Sequence, residues 1–222
     1  LSMKQAADEA GVAIVAGDTK VVEGRGGLYI NTAGLGVLQT AQDISVHRAA
    51  AGDAVLVSGH LGNHHACVQS ERLAIANHIQ SDCAPLGGMV HGLLAAGVEV
   101  HALRDITRGG LASVLNEIAE ASGVGVALRG GLTFADADVQ GFCDILGLDP
   151  LYMGNEGKLV AIVPARDAER ALAVIRSAPY GEKAQIIGEV TASDMPIVTI
   201  RTRAGGTRRI DALQGEGLPR IC

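Results

Sequence analysis

The chain has 222 residues, 48% of them hydrophobic but only 2% aromatic, with no Trp and a net charge of −6. Its core must therefore be built from Val, Ile, Leu and Ala packed closely with many of its 30 glycines, a composition that favours layered packing of helices on sheets. The scattered Lys and Arg residues give no nucleic-acid footprint, no apolar run reaches membrane-spanning length, and no signal peptide is visible.

In chain order, Met3 to Ala10 reads as a helix. Short apolar runs at Val12–Ala16 and Leu28–Gly36 read as strands, and a third strand covers Asp53–Ser58. A helix is expected from Asn63 to Asn77. Another is expected from Pro85 to Ala96, where Leu86, Met89, Val90, Leu93 and Leu94 recur at helical spacing. Val98–Ala102 reads as a strand feeding Asp105-Ile-Thr-Arg-Gly-Gly110, then an amphipathic helix over Leu111–Ala121 ended by Gly123. Further strands are expected at Val124–Leu128, Lys158–Val163, Ala184–Val190 and Ile197–Arg203. Helices are expected at Val139–Leu146 and Arg166–Ser177, and a Gly205-Gly206 turn leads into Arg208–Asp211. Hairpin-like and crossover connections alternate, so the fold class is α+β or mixed α/β. The domain boundary is expected near residues 40–52.

Four cysteines occur, Cys67, Cys83, Cys143 and Cys222, and none forms a Cys-x-x-Cys pair. That argues against a zinc or thioredoxin-like site and for a reducing, cytoplasmic setting. The first three sit among apolar neighbours and are expected to be buried thiols. Cys222 is the final residue given, preceded by Gly215 and Gly217, so its thiol is suited to visit another active site and return. An incidental frayed end is the alternative.

Three loops could carry chemistry. Gly17-Asp18-Thr19-Lys20 follows a strand-like run. Asp18 there can hold Mg²⁺ and Lys20 can neutralise developing negative charge, or the segment is an ordinary polar turn. In Arg104–Gly110, Thr107 or Asp105 can cap the following helix, and the glycines and Arg108 can receive an anion, or the segment is a plain helix start. In Asn155-Glu156-Gly157-Lys158, Glu156 is a candidate general base and Asn155 a positioning group, although these residues also suit a surface turn. His64 and His65 resemble a metal pair, but neighbours on one helix point apart and no third ligand is spaced to join them. Packing at the helix start is the preferred reading.

Five stretches together resemble the HypE family of hydrogenase maturation factors, within the aminoimidazole ribonucleotide synthetase (PurM-like) superfamily. They are Ala16-Gly-Asp-Thr-Lys-Val-Val22, Arg104–Ala112 with Asn116–Ala119, Leu146–Tyr152, Asn155–Lys158, and the ending Leu218-Pro-Arg-Ile-Cys222. Ile106 stands where the family usually has Pro, and Asn63-His64-His65 where Asp-His-Gly is common.

The resemblance implies a two-domain architecture. Residues 1–46 would be the last part of an ATP-binding, dimerising domain whose earlier half is not in the sequence. Residues 47–211 would be a C-terminal α/β domain, and 212–222 a flexible tail. It implies ATP and Mg²⁺ as cofactors, and the dehydration of a carbamoyl group on the Cys222 sulfur to a thiocyanate. That cyanide becomes a ligand of the [NiFe]-hydrogenase iron. Glu156 and Lys20 would lie around the Cys222 carboxamide, Asp18 and Thr19 near the phosphates and metal, and Asp105, Thr107, Arg108 and Asn155 around the pocket. The implied partners are a HypF-type carbamoyltransferase, a HypC–HypD iron-assembly scaffold and a second copy of the chain. Alternatives are a phosphate-transferring relative, of the selenophosphate synthetase or thiamine-monophosphate kinase type, or a non-enzymatic thiol carrier.

Overall fold

The structure is a computed structural model that describes residues 1–23, 27–202, 204–213 and 215. The chain divides into two compact units, residues 1–41 and 42–222. In the first, α1 (Ser2–Ala10) ends at Gly11, whose left-handed backbone lets Gly11 N–H reach Asp8 O and Val12 N–H reach Ala7 O. Lys4 and Asp8 pair one turn apart on its surface. The strands expected at Val12–Ala16 and Leu28–Gly36 are absent from this unit. Apolar runs become strands only when another backbone lies alongside to complete the ladder, and among the described residues none pairs with them. Val15, Val21, Leu28 and Leu35 are accordingly exposed.

The second unit is a seven-stranded sheet with helices on both faces. Its strands are β1 (Asp53–Val57), β2 (Ala102–Asp105), β3 (Gly125–Leu128), β4 (Leu159–Pro164), β5 (Gln185–Thr191), β6 (Val198–Arg201) and β7 (Thr207–Ile210), in the order β2-β4-β1-β5-β3-β6-β7. Among the described residues β3 and β6 pair in parallel and the other neighbours antiparallel, so the sheet is mixed. The helices are α2 (Asn63–Arg72), α3 (Gly87–Ala95), α4 (Gly110–Ser122), α5 (Ala137–Leu146) and α6 (Ala168–Ser177).

Strand alternation decides which layer each side chain enters. Val55, Val57, Val160 and Ile162 face one core with Leu111, Leu115 and Ile118 of α4. Ala54, Leu56, Ala161 and Val163 face the other, with Met89 and Leu93 of α3 and Leu172 and Ile175 of α6. Both faces of β1 and β4 are therefore covered, which is why these strands read as unbroken apolar runs. A smaller cluster of Ala66, Val139, Phe142, Cys143 and Met153 joins α2 to α5. No described helix is long and apolar enough to cross a membrane.

The second unit begins at Gln42 because that side chain is part of it. Its amide accepts from Val100 N–H at 2.9 Å and donates to Val98 O at 3.0 Å. This side chain sits where a neighbouring strand's backbone would, so the strand expected over Val98–Ala102 starts only at Ala102. The helix expected to reach Asn77 stops at Arg72. Ala74 turns to a positive φ of 53°, and Ile75 N–H closes on Ser70 O.

Candidate functional site

The C-terminal ends of β1 and β2 and the start of β4 lie at one edge of the sheet, because Val57 pairs with Val160 and Asp105 with Leu159. Three loops therefore leave side by side: 58–62, 106–109 and 153–158. The Asn155 side chain, 1% exposed, ties them together. Its Oδ1 accepts from Gly62 N–H at 2.8 Å, and its Nδ2 donates to Ile106 O at 3.0 Å and to Met153 O at 2.9 Å. Its backbone N–H adds a second bond to Ile106 O at 3.1 Å. Asn suits this place because one planar amide offers both donors and an acceptor, so three buried backbone groups are satisfied at once.

Glu156 follows directly and is half-buried. Its N–H donates to Asp82 Oδ1 at 2.8 Å, from the connection between α2 and α3. That connection presses on the next residue too: a Cβ on Gly157 would lie 1.9 Å from Asp82 O. Lys158 Nζ donates to Gly157 O at 3.2 Å, and Ser58 Oγ accepts from Leu159 N–H at 2.9 Å. The Glu156 backbone is thus pinned from several sides, and none of these ties uses its carboxylate. Asp82 keeps its second oxygen, Oδ2, buried without a partner among the described residues.

Cys83 lies beside this turn and is exposed, not buried as its apolar neighbours suggested. Its thiol is pushed above the usual range, first by desolvation and then by the negative charges of Glu156 and Asp82. Cys143 is buried as expected and raised to about 11, first by burial and then by Asp144 and Asp149. Cys67 is intermediate.

His65 is buried, and its Nδ1 accepts from Gly154 N–H at 3.3 Å, which places its proton on Nε2. Burial first, then the charges of His64 and Arg72, lower it to about 4. It is a neutral packing residue of the helix start. His64 Nδ1 lies 2.9 Å from Ser81 Oγ instead of joining it. No group of three or more His, Cys, Asp or Glu side chains fit to hold a metal occurs among the described residues.

The sheet edge continues past His60, whose Nδ1 lies 2.8 Å from Asp136 Oδ1. Lys183 also bonds that carboxylate. Burial alone would raise the Asp136 pKa, but its bonds to Lys183 and His60 outweigh it and the result is lowered. His60 and Lys183 border an open cleft of about 430 Å³ that Thr133 and Arg176 also line.

The expected capping at α4 takes a different form. Gly109 is the N-cap, and no side chain caps the helix. The Thr107 contribution is its carbonyl, which accepts from Gly110 N–H at 3.1 Å. Gly110 has a φ of 65°, and a Cβ there would lie 2.5 Å from Leu151 O. The close approach it permits is to the chain's own backbone at Leu151–Met153. Asp105 and Arg108 are exposed on this loop, and Arg104 reaches Glu117 at 2.8 Å.

The structure thus gathers Asp105, Thr107, Arg108, Asn155 and Glu156 at one sheet edge of the second unit. Asp18, Thr19 and Lys20 form a local turn in the first unit. Asp18 Oδ1 accepts from Thr19 N–H at 2.8 Å, and Lys20 Nζ lies 3.6 Å from Asp18 Oδ2 with both side chains exposed. Cys222 lies outside the described residues. Asp82 was missed at the level of sequence, since it stands 74 positions from Glu156 with no spacing to link them.

The AIR synthase related protein, C-terminal domain family matches residues 50–201. The carbamoyl dehydratase HypE of Rhodobacter capsulatus is 45% identical over the whole chain, which spans 66% of that relative's length. A crystal structure of HypE in complex with ATP is 39% identical with a TM-score of 0.87, covering 100% of this chain and 68% of that one. A crystal structure of a HypE-HypF complex is 41% identical with a TM-score of 0.86, covering 96% of this chain and 70% of that one. The chain belongs to the AIR synthase related family and, within it, to the HypE hydrogenase maturation proteins.

Proposed function

We propose that the full-length protein carries out the ATP-dependent dehydration of a carbamoyl group held on the Cys222 sulfur, giving the thiocyanate that supplies cyanide to the [NiFe]-hydrogenase iron. The observation that supports it most is the Glu156 turn. It is fixed through its backbone by Asn155 and Asp82, half-buried, and has its carboxylate left out of those ties. A carboxamide oxygen is a poor leaving group until it is phosphorylated, and the nitrogen must give up both its protons as phosphate departs. A pre-positioned carboxylate suits that proton removal.

In this reading Glu156 is the base, and Lys20 steadies the negative charge that develops. Asp18 and Thr19 hold the phosphate end of the nucleotide. Asp105, Thr107 and Arg108 shape the pocket that receives the tail, with Asn155 as its frame. The Asp18 carboxylate is exposed, with Oδ2 3.6 Å from Lys20 Nζ. One hard oxygen of that kind fits Mg²⁺, which keeps several waters and takes one or two carboxylates beside nucleotide phosphates. The ATP complex of a HypE supports the nucleotide, and the HypE-HypF complex supports a HypF-type carbamoyltransferase as partner. A homodimer, a HypC–HypD iron scaffold and a cytoplasmic location complete the reading on the family resemblance.

The test is single-turnover conversion of the carbamoylated tail, measured beside nucleotide affinity in the full-length protein. Glu156→Gln is nearly isosteric and should slow conversion by ~10²–10⁴-fold with ATP affinity retained. Conversion at the wild-type rate would remove Glu156 from the chemistry, and an equal loss of ATP affinity would make it a binding residue.

A further inference from the structure

The motif that leads into α4 contains Asn116, and neither a pocket nor a proton transfer accounts for it. Asn is a poor choice inside a helix, because its amide competes for backbone partners. Here its Nδ2 donates twice, to Ala112 O of its own helix at 2.8 Å and to Ile210 O at the end of β7 at 3.0 Å. One turn earlier on the same face, Ser113 Oγ accepts from Leu213 N–H at 3.3 Å. Gly109 leaves room for that hydroxyl, since a Cβ there would lie 2.3 Å from Ser113 Oγ. Arg208 reaches Asp149 Oδ2 at 3.0 Å, the same carboxylate whose Oδ1 caps the Pro150–Tyr152 turn.

These contacts give a direction. Ile210 lies opposite Asn116, and Leu213 lies opposite Ser113, so the chain from 210 to 213 runs antiparallel to α4. It heads for the N-terminal end of α4, where the Thr107–Gly110 loop leaves the same sheet edge as Glu156.

We propose that this face of α4 is a track that fixes where the C-terminal segment departs, making Ser113 and Asn116 positioning residues for Cys222. The proposal rests on the function proposed above. From Leu213, the last nine residues can span at most about 30 Å. The point and direction of departure therefore decide how often the terminal thiol meets Glu156. A secured root raises the local concentration of the tail at the site without adding any contact to it.

The experiment uses the full-length protein with Ser113→Ala and Asn116→Ala, singly and together. Hydrogen exchange should show the Leu213 amide protected in the wild type and released in Ser113→Ala. Single-turnover dehydration of the carbamoylated tail should fall about 2- to 10-fold in Ser113→Ala, the range that one lost hydrogen bond converts to, and further in the double variant. ATP affinity and the exchange of α4 amides should stay as in the wild type. A wild-type Leu213 amide that exchanges as fast as a free peptide would overturn the proposal. So would unchanged dehydration in the double variant, or a loss of ATP affinity in step with dehydration, which would mark a general structural role. If the wild type itself forms no thiocyanate, the proposed function fails, and the exchange measurement still decides whether the track exists.

Discussion

Replacing Asn155 with Ala should loosen the sheet edge that carries the site, by an amount the hydrogen bonds set. The change leaves Gly62 N–H and Met153 O without their partner, while Ile106 O keeps the Asn155 backbone N–H at 3.1 Å. The site is sealed, with Asn155 1% exposed, so water is poorly placed to compensate. An orphaned buried polar group costs about 1–3 kcal/mol, so two give a loss of roughly 2–6 kcal/mol. That is a large share of the ~5–15 kcal/mol by which domains are usually stable. Urea denaturation of wild type and variant, with the slope of the transition held constant, measures the difference directly. Because Glu156 is the next residue, conversion of the carbamoylated tail should fall further than the folded fraction does. A stability loss below about 0.5 kcal/mol would refute the reasoning, since surface substitutions reach that much.

Two further outcomes follow from the same geometry. Gly110→Ala forces a Cβ to within 2.5 Å of Leu151 O at a φ of 65°, so it should cost at least about 3 kcal/mol, and thermal denaturation at the wild-type temperature would contradict that. His65 predicts a pH dependence. Its folded value, about 4, lies below the ordinary 6.5 because burial disfavours the charged ring. The unfolded chain therefore takes up the proton first, and the stabilisation is complete above about pH 6.5 and is lost as pH falls toward 4. Between about pH 7.5 and pH 5 the loss should be about 2 kcal/mol, and His65→Gln should flatten it in a urea series. An equal slope in that variant would assign the dependence elsewhere.

Much of this architecture could be read from the residues. The apolar stripe of α4 and the glycine that ends it, the unbroken apolar run of β1, and the alternation of helix and strand all depend on local patterning, which sequence displays. The loops with chemical potential were visible as residue types, and the sheet brings Asp105 and Glu156 to one edge. Other features depend on partners distant in sequence. Asn155 looks like a turn residue until Gly62 and Ile106 come into reach, 93 and 49 positions away. Asp82 carries no signal of its own. Val98–Ala102 has strand composition, but the Gln42 side chain takes the ladder position. α2 ends without glycine or proline, through a non-glycine residue at positive φ, so the apolar residues beyond it read as more helix. The cap of α4 was misread for a related reason. Thr107 and Asp105 are good capping residues, but Gly109 and Gly110 turn the backbone so that the helix starts against Leu151–Met153.

The central claim concerns one thiol and one reaction, and intact-mass measurement addresses both. The full-length protein would be incubated with a HypF-type carbamoyltransferase, carbamoyl phosphate and ATP, with Cys222→Ala treated in parallel. The account predicts that the wild type first gains a carbamoyl group and then, only with ATP, loses the mass of one water, while Cys222→Ala gains nothing. A carbamoylated protein that never loses water in the presence of ATP, or a Cys222→Ala chain that is modified and dehydrated like the wild type, would contradict it.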